Sequence, residues 1–451
     1  MGKLFGTDGV RGTANLHPMT GEIAMKLGRA AAHVFKHKPG QHRIIIGKDT
    51  RLSGYMIESA LTSGICSMGV DVLLVGPMPT PAIAFLTRSL RADAGVMISA
   101  SHNPFEDNGI KFFSRQGQKL PDEMEATIER LVISGEIDHI RPTAFDIGKA
   151  HRVDDADGRY IEFVKNAIPK GCDLSTLKVV LDCGHGAAYK VAPAVLIELA
   201  ADVVVLNNAP NGNNINRNCG ALYPADLQKA MQLNPADVGV ALDGDADRAI
   251  FVDEKGEVVP GEVILAVLAQ FLHANKNLVG NTVVTTNHSN KGIEKSLEKK
   301  GIRVVRTDVG DRYVFEQMQL GGYNLGGESS GHVIFMDYNQ TGDGLLTALQ
   351  FLFLLKQTGK TVSQLTSEIQ MFPQVTLNIK VRERKPLMEI PRLQETIDQY
   401  ELKLNGSGRL FVRYSGTEPL LRILVEGENF DLISEMANTL SQIVEKEIGA
   451  P

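Results

Sequence analysis

Apolar and polar residues follow one pattern that recurs three times along the chain. Each time, an apolar run of strand-like composition leads into a polar or glycine-containing turn, a helical stretch and a second apolar run. The three pairs of runs cover residues 43–51 and 70–75, 178–182 and 203–206, and 281–285 and 302–305. Each pair spans about 30 residues, the length of a β-α-β unit, and the unbroken apolar runs suit strands buried on both faces of a sheet. The pattern therefore predicts three related α/β domains.

A further apolar run in each repeat leads directly into a loop of small and polar residues. The runs are 94–99, 237–242 and 323–326, and the loops that follow them are 101–104, 243–248 and 327–332. Ligands of parallel sheets gather beyond the carboxyl ends of the strands. The repeat therefore predicts that the three loops share one active site.

The last eighty residues have a different order of elements. They read as strand 375–381, helix 390–402, strands 409–413 and 421–426, and helix 432–448, an order typical of a small α+β domain. The predicted fold class is α/β: three tandem related α/β domains with mixed, mostly parallel sheets, and a C-terminal α+β domain, around one central cleft. The predicted boundaries are 1–155, 156–255, 256–371 and 372–451.

Composition narrows the class of protein. With 43% hydrophobic and 22% charged residues the chain is neither disordered nor fibrous, and a net charge of -6 without a basic block disfavours nucleic-acid binding. The four cysteines form no disulfide framework, and the N-terminus lacks the apolar core of a signal peptide. The apolar stretch 345–355 is shorter than the about 20 residues that cross a bilayer. We expect a cytoplasmic enzyme with no membrane partner.

Three aspartates, Asp243, Asp245 and Asp247, recur at every second residue after an apolar run. In an extended strand they would line one face and repel one another, and a divalent cation relieves that repulsion. Hard oxygen ligands in small number suit Mg²⁺. A solvated acidic turn and a haloacid-dehalogenase-like phosphatase are the alternatives. An EF-hand is rejected, because Arg248 stands where its turn requires glycine and 249–252 has strand composition.

Ser101 stands at the end of an apolar run and is followed by His102, Asn103 and Pro104. A lone serine in such a loop is more often a cap or turn residue. A three-aspartate metal loop in the next repeat supplies what a phosphoryl acceptor needs, and His102 either acts as the base or orients the loop. Neither a P-loop nor a kinase signature occurs, so the phosphate comes from a substrate or a phosphoenzyme.

Two further loops carry groups suited to a sugar phosphate. Arg413-Tyr-Ser-Gly-Thr417, with Arg422 behind it, offers a guanidinium, hydroxyls and backbone N–H groups for a phosphate monoester, although a tight hairpin with an exposed arginine fits as well. The loop 327–332 offers hydroxyl and carboxylate groups for sugar hydroxyls. Arg11 and Arg51 lie either near the phosphoryl site or at the surface.

In this order and spacing, the serine loop, the three aspartates, the loop 327–332 and the loop 413–419 resemble those of the α-D-phosphohexomutases over essentially the whole chain. Within that superfamily, the segments 5–12, 241–248, 309–313 and 327–332 resemble the bacterial phosphoglucosamine mutases more than the phosphomannomutases or phosphoglucomutases. Ser329 and the turn 287–292 depart from the usual pattern and bear on the sugar preference.

The resemblance implies an isomerase that interconverts glucosamine 6-phosphate and glucosamine 1-phosphate, in supply of UDP-N-acetylglucosamine for the cell envelope. It implies a phosphoserine, one Mg²⁺ per chain, and glucosamine 1,6-bisphosphate as intermediate and activator, in a monomer or homodimer. A phosphomannomutase/phosphoglucomutase is the first alternative, and a metal-dependent sugar-phosphate phosphatase is the second.

The resemblance also implies roles for individual residues. The catalytic set is Ser101, Lys111, Arg11 and His102, and the metal set is Asp243, Asp245, Asp247 and phosphorylated Ser101. The predicted substrate-binding residues are Glu328, Ser330 and Arg248, together with Arg413, Ser415, Gly416, Thr417 and Arg422.

Overall fold

The computed structural model describes residues 4–6, 8–36, 40–415 and 419–450. The chain divides into two compact units. Unit 1 consists of Met1–Asn287 and Val305–Thr366, and unit 2 of His288–Val304 and Ser367–Pro451.

Unit 1 begins with a seven-stranded mixed sheet. In sheet order its strands are Phe5–Gly6, Gly9–Thr13, Asp107–Ser114, Ala94–Ile98, Arg43–Lys48, Asp71–Pro77 and Ala150–Arg152. Its helices are Gly21–Phe35, Ser53–Cys66, Thr80–Ser89 and Asp122–Ser134, with short 3-10 turns at Glu136–His139 and Ala144–Asp146. The strand Ala94–Ile98 is buried along its whole length, as expected for a strand with helices on both faces of the sheet.

The second sheet has five strands and holds the three aspartates at one end. In sheet order its strands are Val258–Val259, Ala249–Val252, Val238–Leu242, Lys178–Asp182 and Asp202–Leu206. The accompanying helices are Ala156–Lys165, Val191–Glu198 and Ala225–Leu233. Strand Val238–Leu242 runs parallel to Lys178–Asp182 and antiparallel to Ala249–Val252, so the chain reverses direction within the loop 243–248.

The third sheet has four strands. In sheet order they are Arg303–Thr307, at the boundary of the two units, then Thr282–Thr286, Leu325–Gly327 and Val333–Phe335. The unit 1 helices of this region are Gly261–Ala274, Asp311–Gly321, Gly344–Thr358 and Val362–Thr366, with a 3-10 turn at Val279–Asn281. The helix Gly344–Thr358 is buried over most of its length, which explains the apolar stretch 345–355. Within the part of the chain that is described, no helix combines the length and apolarity needed to cross a membrane.

Unit 2 contains the helix Lys291–Glu298 and a three-stranded antiparallel sheet in the order Gln374–Lys380, Leu420–Gly427, Gly408–Tyr414. Two helices, Pro391–Leu404 and Phe430–Ile448, bury apolar residues against this sheet, and a 3-10 turn occupies Leu387–Glu389. The order of these elements is the one predicted for the tail.

The predicted fold class is confirmed: three α/β repeats are followed by a C-terminal α+β region, and every predicted strand or helix begins within two residues of the observed element. The boundaries of the four predicted domains stay predictions.

Candidate active site

Ser101 lies just beyond the strand Ala94–Ile98 and is buried. Its Oγ donates a hydrogen bond to Oδ2 of Asp243 at 2.7 Å and lies 3.3 Å from Nδ1 of His102. Burial lowers the pKa of His102, and the positive charges of Arg248 and Arg11 lower it further, which favours a neutral imidazole. The structure thus brings the predicted nucleophile, the first aspartate and a neutral histidine together.

The loop Asp243–Arg248, here called the metal loop, is a turn and not an extended strand. Ala246 has a left-handed backbone with φ of 56°, and its N–H donates to the carbonyl oxygen of Asp243 at 3.0 Å. All three aspartates are buried, and one oxygen of each lies within 4.8 Å of the others. The aspartates therefore converge as predicted, but through a tight turn.

The metal loop fits a divalent cation. Oδ1 of Asp245 and Oδ1 of Asp247 are buried without a hydrogen-bond partner among the described residues. Burial, followed by the charges of Asp247 and Asp245, raises the pKa of Asp243 well above its ordinary value. Burying several carboxylates with unpartnered oxygens is costly unless a cation joins them. Hard oxygen ligands favour Mg²⁺.

Lys111 lies beside the metal loop. Its Nζ is 3.0 Å from Oδ2 of Asp245 and 3.2 Å from Oδ2 of Asp8, and Asp8 also forms an ion pair with Arg11. Burial alone would lower the pKa of Lys111, but the charges of Asp245 and Asp8 more than offset it, so the pKa is raised. Lys111 is therefore a fixed cation at neutral pH, suited to stabilising phosphoryl charge rather than to acting as a base.

Lys119, Asp311 and His332 extend this network from Asp8. These four residues are called the ion-pair chain. Lys119 Nζ contacts Asp8 Oδ1 at 2.6 Å and Asp311 Oδ2 at 2.5 Å. Nε2 of His332 lies 3.8 Å from Asp311 Oδ2, and its Nδ1 lies 3.6 Å from Asp247 Oδ2. The ion-pair chain, Asp8, Lys119, Asp311 and His332, thus joins residues of all three repeats, and its last three members border a cavity of about 170 Å³.

Acidic and basic groups alternate along the ion-pair chain. Burial opposes charge in each group, but Lys111 and Lys119 hold the pKa of Asp8 well below its ordinary value, and Lys119 and His332 lower that of Asp311. The hydrogen bond and charge of Asp247 raise the pKa of His332 in spite of its burial. Alternating charges therefore keep one another ionised inside unit 1.

The loop 327–332 of the third repeat packs against the metal loop. The N–H of Ala249 donates to the carbonyl oxygen of Gly331 at 3.2 Å. Glu328 Oε1 accepts from the N–H of Gly310 at 3.2 Å, and Ser330 Oγ is buried without a hydrogen-bond partner among the described residues. Arg248, the last residue of the metal loop, donates its backbone N–H to Asp243 Oδ1 at 3.2 Å. The three predicted loops thus meet in one place within unit 1.

The predicted phosphate-binding residues lie in unit 2. Arg413 and Arg422 stand directly opposite each other on neighbouring antiparallel strands. Ser415 is buried, and its N–H donates to the carbonyl oxygen of Leu420 at 2.8 Å. Gly416 and Thr417 lie outside the described residues. Like charges at opposed positions repel, and an anion bound between them would relieve that repulsion.

The ion-pair chain was not predicted from the sequence. Three of its members lie in segments that carry the family resemblance: Asp8 in 5–12, Asp311 in 309–313, and His332 at the end of the loop 327–332. Lys119 had no signal, because only the fold brings it to Asp8 and Asp311.

Sequence profiles of one family match the chain in four segments. They are phosphoglucomutase/phosphomannomutase alpha/beta/alpha domain I over residues 2–137, domain II over 158–256, domain III over 260–372 and the C-terminal domain over 377–442.

Full-length relatives with one name are similar to this chain. The phosphoglucosamine mutase of Syntrophotalea carbinolica is 58% identical over 99% of this chain and 98% of its own. The phosphoglucosamine mutase of Geotalea uraniireducens is 57% identical over 100% and 99% of the two chains, and that of Myxococcus xanthus is 55% identical over 98% and 97%.

Solved structures share the fold at low sequence identity. A phosphoglucomutase/phosphomannomutase family protein from Burkholderia thailandensis has a TM-score of 0.81 and 22% identity, covering 99% of both chains. The N-acetylphosphoglucosamine mutase of Aspergillus fumigatus, in complex with GlcNAc-6P and magnesium, has a TM-score of 0.69 and 18% identity, covering 98% of this chain and 96% of its own.

Proposed function

The chain belongs to the phosphoglucosamine mutases of the phosphoglucomutase/phosphomannomutase family, and we propose that it performs their reaction with the residues gathered around Ser101. It is an isomerase that interconverts glucosamine 6-phosphate and glucosamine 1-phosphate by phosphoryl transfer.

One observation carries the assignment of the nucleophile. Ser101 Oγ donates to Asp243 Oδ2 at 2.7 Å, inside a buried cluster that also contains Asp245, Asp247 and the fixed cation Lys111. A serine buried against three carboxylates has little use as a surface cap, whereas a phosphorylated serine needs this combination of metal ligands and cations.

The family resemblance and the three buried aspartates support Mg²⁺ as the metal of the enzyme, and Asp243, Asp245 and Asp247 are the residues that would hold the ion. When bound, Mg²⁺ supplies positive charge that offsets the negative charge of a phosphoryl group in transfer.

We place the phosphate store on Ser101. In the first transfer, O1 of glucosamine 6-phosphate attacks the phosphorus of phospho-Ser101, the new O1–P bond forms and the P–Oγ bond breaks. The O1 hydroxyl loses its proton and the freed Oγ gains one, so the protons balance; His102, 3.3 Å from Oγ, is the proposed proton donor on the Oγ side, opposite the attacking O1. Lys111 and Arg11 stay charged and stabilise the equatorial oxygens.

The second transfer reverses the first with the other end of the sugar. The glucosamine 1,6-bisphosphate intermediate rotates by a half turn in the site. Its O6–P bond then breaks, a P–Oγ bond forms, and the phosphoryl group returns to Ser101. Glu328 and Ser330 are the residues proposed to bind the sugar hydroxyls. Arg413, Ser415 and Arg422, with Gly416 and Thr417 outside the described residues, are proposed to bind a phosphate monoester, because the two arginines stand opposite each other.

We also propose that the enzyme works in the cytoplasm. All four cysteines are free thiols, which suits a reducing compartment.

A product assay tests the function. Purified enzyme with Mg²⁺ should convert glucosamine 6-phosphate into glucosamine 1-phosphate, faster when a catalytic amount of a hexose 1,6-bisphosphate is added, with little free phosphate released. If free phosphate were the main product, the protein would be a phosphatase and the proposed mutase function would be wrong. A comparison of kcat/KM on glucosamine, glucose and mannose 6-phosphates separates it from a phosphomannomutase/phosphoglucomutase, and we expect the highest value for glucosamine.

A further inference from the structure

The backbone of Ser101 has an unusual conformation. Its φ is 51°, in the left-handed region that residues other than glycine seldom adopt. Such a conformation persists only where the surrounding structure holds it in place. The groups around the Ser101 peptide show how it is held.

Two buried donors bind the carbonyl oxygen of Ser101. Nη2 of Arg51, from the first repeat, donates at 2.9 Å, and Nδ2 of Asn216, from the second repeat, donates at 2.8 Å. The same two groups donate to the carbonyl oxygen of Asn103, at 2.8 and 3.1 Å. A carbonyl oxygen has two lone pairs, so the Ser101 carbonyl is fully satisfied by this pair.

The amide side of Ser101 is held by a second set of hydrogen bonds. Its N–H donates to Ser99 Oγ at 2.9 Å, and Ser99 Oγ donates to Asp49 Oδ2 at 2.6 Å. Nε of Arg51 donates to the same Asp49 oxygen at 2.8 Å. Arg51 therefore closes a buried ring of hydrogen bonds that begins and ends on Ser101.

The metal loop packs directly on this carbonyl group. A Cβ placed on Gly244 would lie 2.5 Å from the Ser101 carbonyl oxygen and 2.7 Å from Nδ2 of Asn216. The direction of the Ser101 carbonyl therefore sets how closely the metal loop approaches, and with it the position of Ser101 Oγ relative to Asp243.

We propose that Arg51 and Asn216 are positioning residues for phosphoryl transfer, which hold Ser101 in its left-handed conformation so that Oγ faces the metal loop; the proposal rests on the function proposed above. Neither side chain touches the reacting atoms. They act through the Ser101 carbonyl, and Asn216 adds a link that the first repeat alone does not provide.

Asn216 is the better residue to test, because loss of Arg51 would leave Asp49 buried without its cation. Asn216 itself has φ of 57°, so Asn216→Gly removes the side chain and still permits the backbone conformation. Asn216→Asp keeps the shape and replaces the donor by an acceptor. Asn213→Ala, at an exposed position of the same loop, is the matched control.

Four quantities are measured on each full-length variant: kcat and KM for the sugar phosphate, the phosphorus NMR shift of phospho-Ser101, and the thermal midpoint. We expect Asn216→Gly and Asn216→Asp to lower kcat by about tenfold or more, with KM changed by less than about twofold. The phosphorus resonance should move toward that of free phosphoserine, and Asn213→Ala should match the wild type.

A folded Asn216 variant with wild-type kcat and phosphorus shift overturns the proposal. So does a kcat that falls only as the thermal midpoint falls while the phosphorus shift stays unchanged, because that result describes a purely structural residue. If Asn216→Gly fails to fold, Asn216→Asp decides by the same readouts. Wild-type enzyme without mutase turnover would refute the proposed function instead, so the two failures are distinguishable.

Discussion

The two carboxylate oxygens of Asp245 have different surroundings. Its Oδ2 accepts from Thr80 Oγ1 at 2.6 Å and from Lys111 Nζ at 3.0 Å, and its Oδ1 is buried without a partner among the described residues. One oxygen is thus fixed by the protein, and the other is available to a cation.

Asp245→Asn keeps the shape but removes a negative charge from this cluster. We expect kcat to fall by at least about tenfold, since an amide binds Mg²⁺ more weakly than a carboxylate. The thermal midpoint should change little, because the variant relieves carboxylate repulsion. Steady-state kinetics and calorimetry provide the measurement, and Asp226→Asn at an exposed helix position is the control. Wild-type turnover in Asp245→Asn, or undiminished activity in EDTA, would refute the metal assignment.

Local sequence predicted some site residues and not others. Ser101 and the aspartates could be predicted because each follows an apolar strand, and strand ends of repeated units meet. Thr80 and Lys119 could not, because they contact Asp245 and Asp311 only through the packing of different repeats. Nothing in their neighbouring residues indicates such partners.

At the scale of elements, the helix Gly344–Thr358 begins with a buried N-cap. Asp343 Oδ1 accepts from the N–H of Leu346 at 2.9 Å, and Tyr160 donates to both carboxylate oxygens at 2.9 Å. Burial raises the pKa of Asp343 to about 6, although these hydrogen bonds oppose the rise.

This raised pKa gives a pH dependence of stability. The folded state binds the proton more tightly than the unfolded state, so the stabilisation is complete below about pH 4 and is lost as pH rises through about 6. Relative to Asp343→Asn, the free energy of unfolding of the wild type should fall by up to about 3 kcal/mol over that interval. Denaturant titrations of both proteins from pH 4 to 7 measure it, and a pH-independent difference would contradict the assigned pKa.

Gly244 lies where the metal loop packs against the loop that carries Ser101. Gly244→Ala places a methyl group against the Ser101 carbonyl oxygen and Asn216. We expect kcat to fall by about a hundredfold, because a shift on the order of 1 Å between reacting groups has that effect. Gly158→Ala, at a helical position with open space around the added Cβ, is the control and should keep full activity. Full activity in Gly244→Ala would show that the two loops do not pack as described.

The strands and helices could be predicted from the sequence more fully than the contacts between their side chains. The central strands of the first two repeats, Ala94–Ile98, Lys178–Asp182 and Val238–Leu242, read as apolar runs because they are buried in their sheets. The turn at Ala246 was not predictable in this way, since a left-handed alanine has no sequence signature. The aspartates were predicted to lie in a loop after a strand, and the structure adds that a left-handed turn at Ala246 brings them together.

On the scale of the whole molecule, the ion-pair chain links the three repeats within unit 1. Lys119 lies between Asp8 and Asp311, and Asp311 and Asp247 both face His332. Lys119→Met should leave two carboxylates facing each other and lower the stability of unit 1 by about 1–3 kcal/mol, since the lysine is partly exposed.

Denaturant unfolding of Lys119→Met measures that loss, with Lys229→Met at an exposed helix position as the control. We expect kcat to fall as well, because Asp8 would then pair more strongly with Lys111 and Arg11. Equal stability of the two variants would mean that the ion-pair chain does not join the repeats.

Ser101 is proposed to store the phosphate between the two transfers. Intact mass spectrometry of purified enzyme, followed by peptide mapping, tests it most directly. A fraction of the protein is expected to be heavier by about 80 Da, with the added mass on the peptide that carries Ser101. That fraction should fall on incubation with a hexose 6-phosphate and be absent in Ser101→Ala. Active wild-type enzyme that never carries phosphate on this peptide, even after incubation with a hexose 1,6-bisphosphate, would contradict phosphate storage on Ser101.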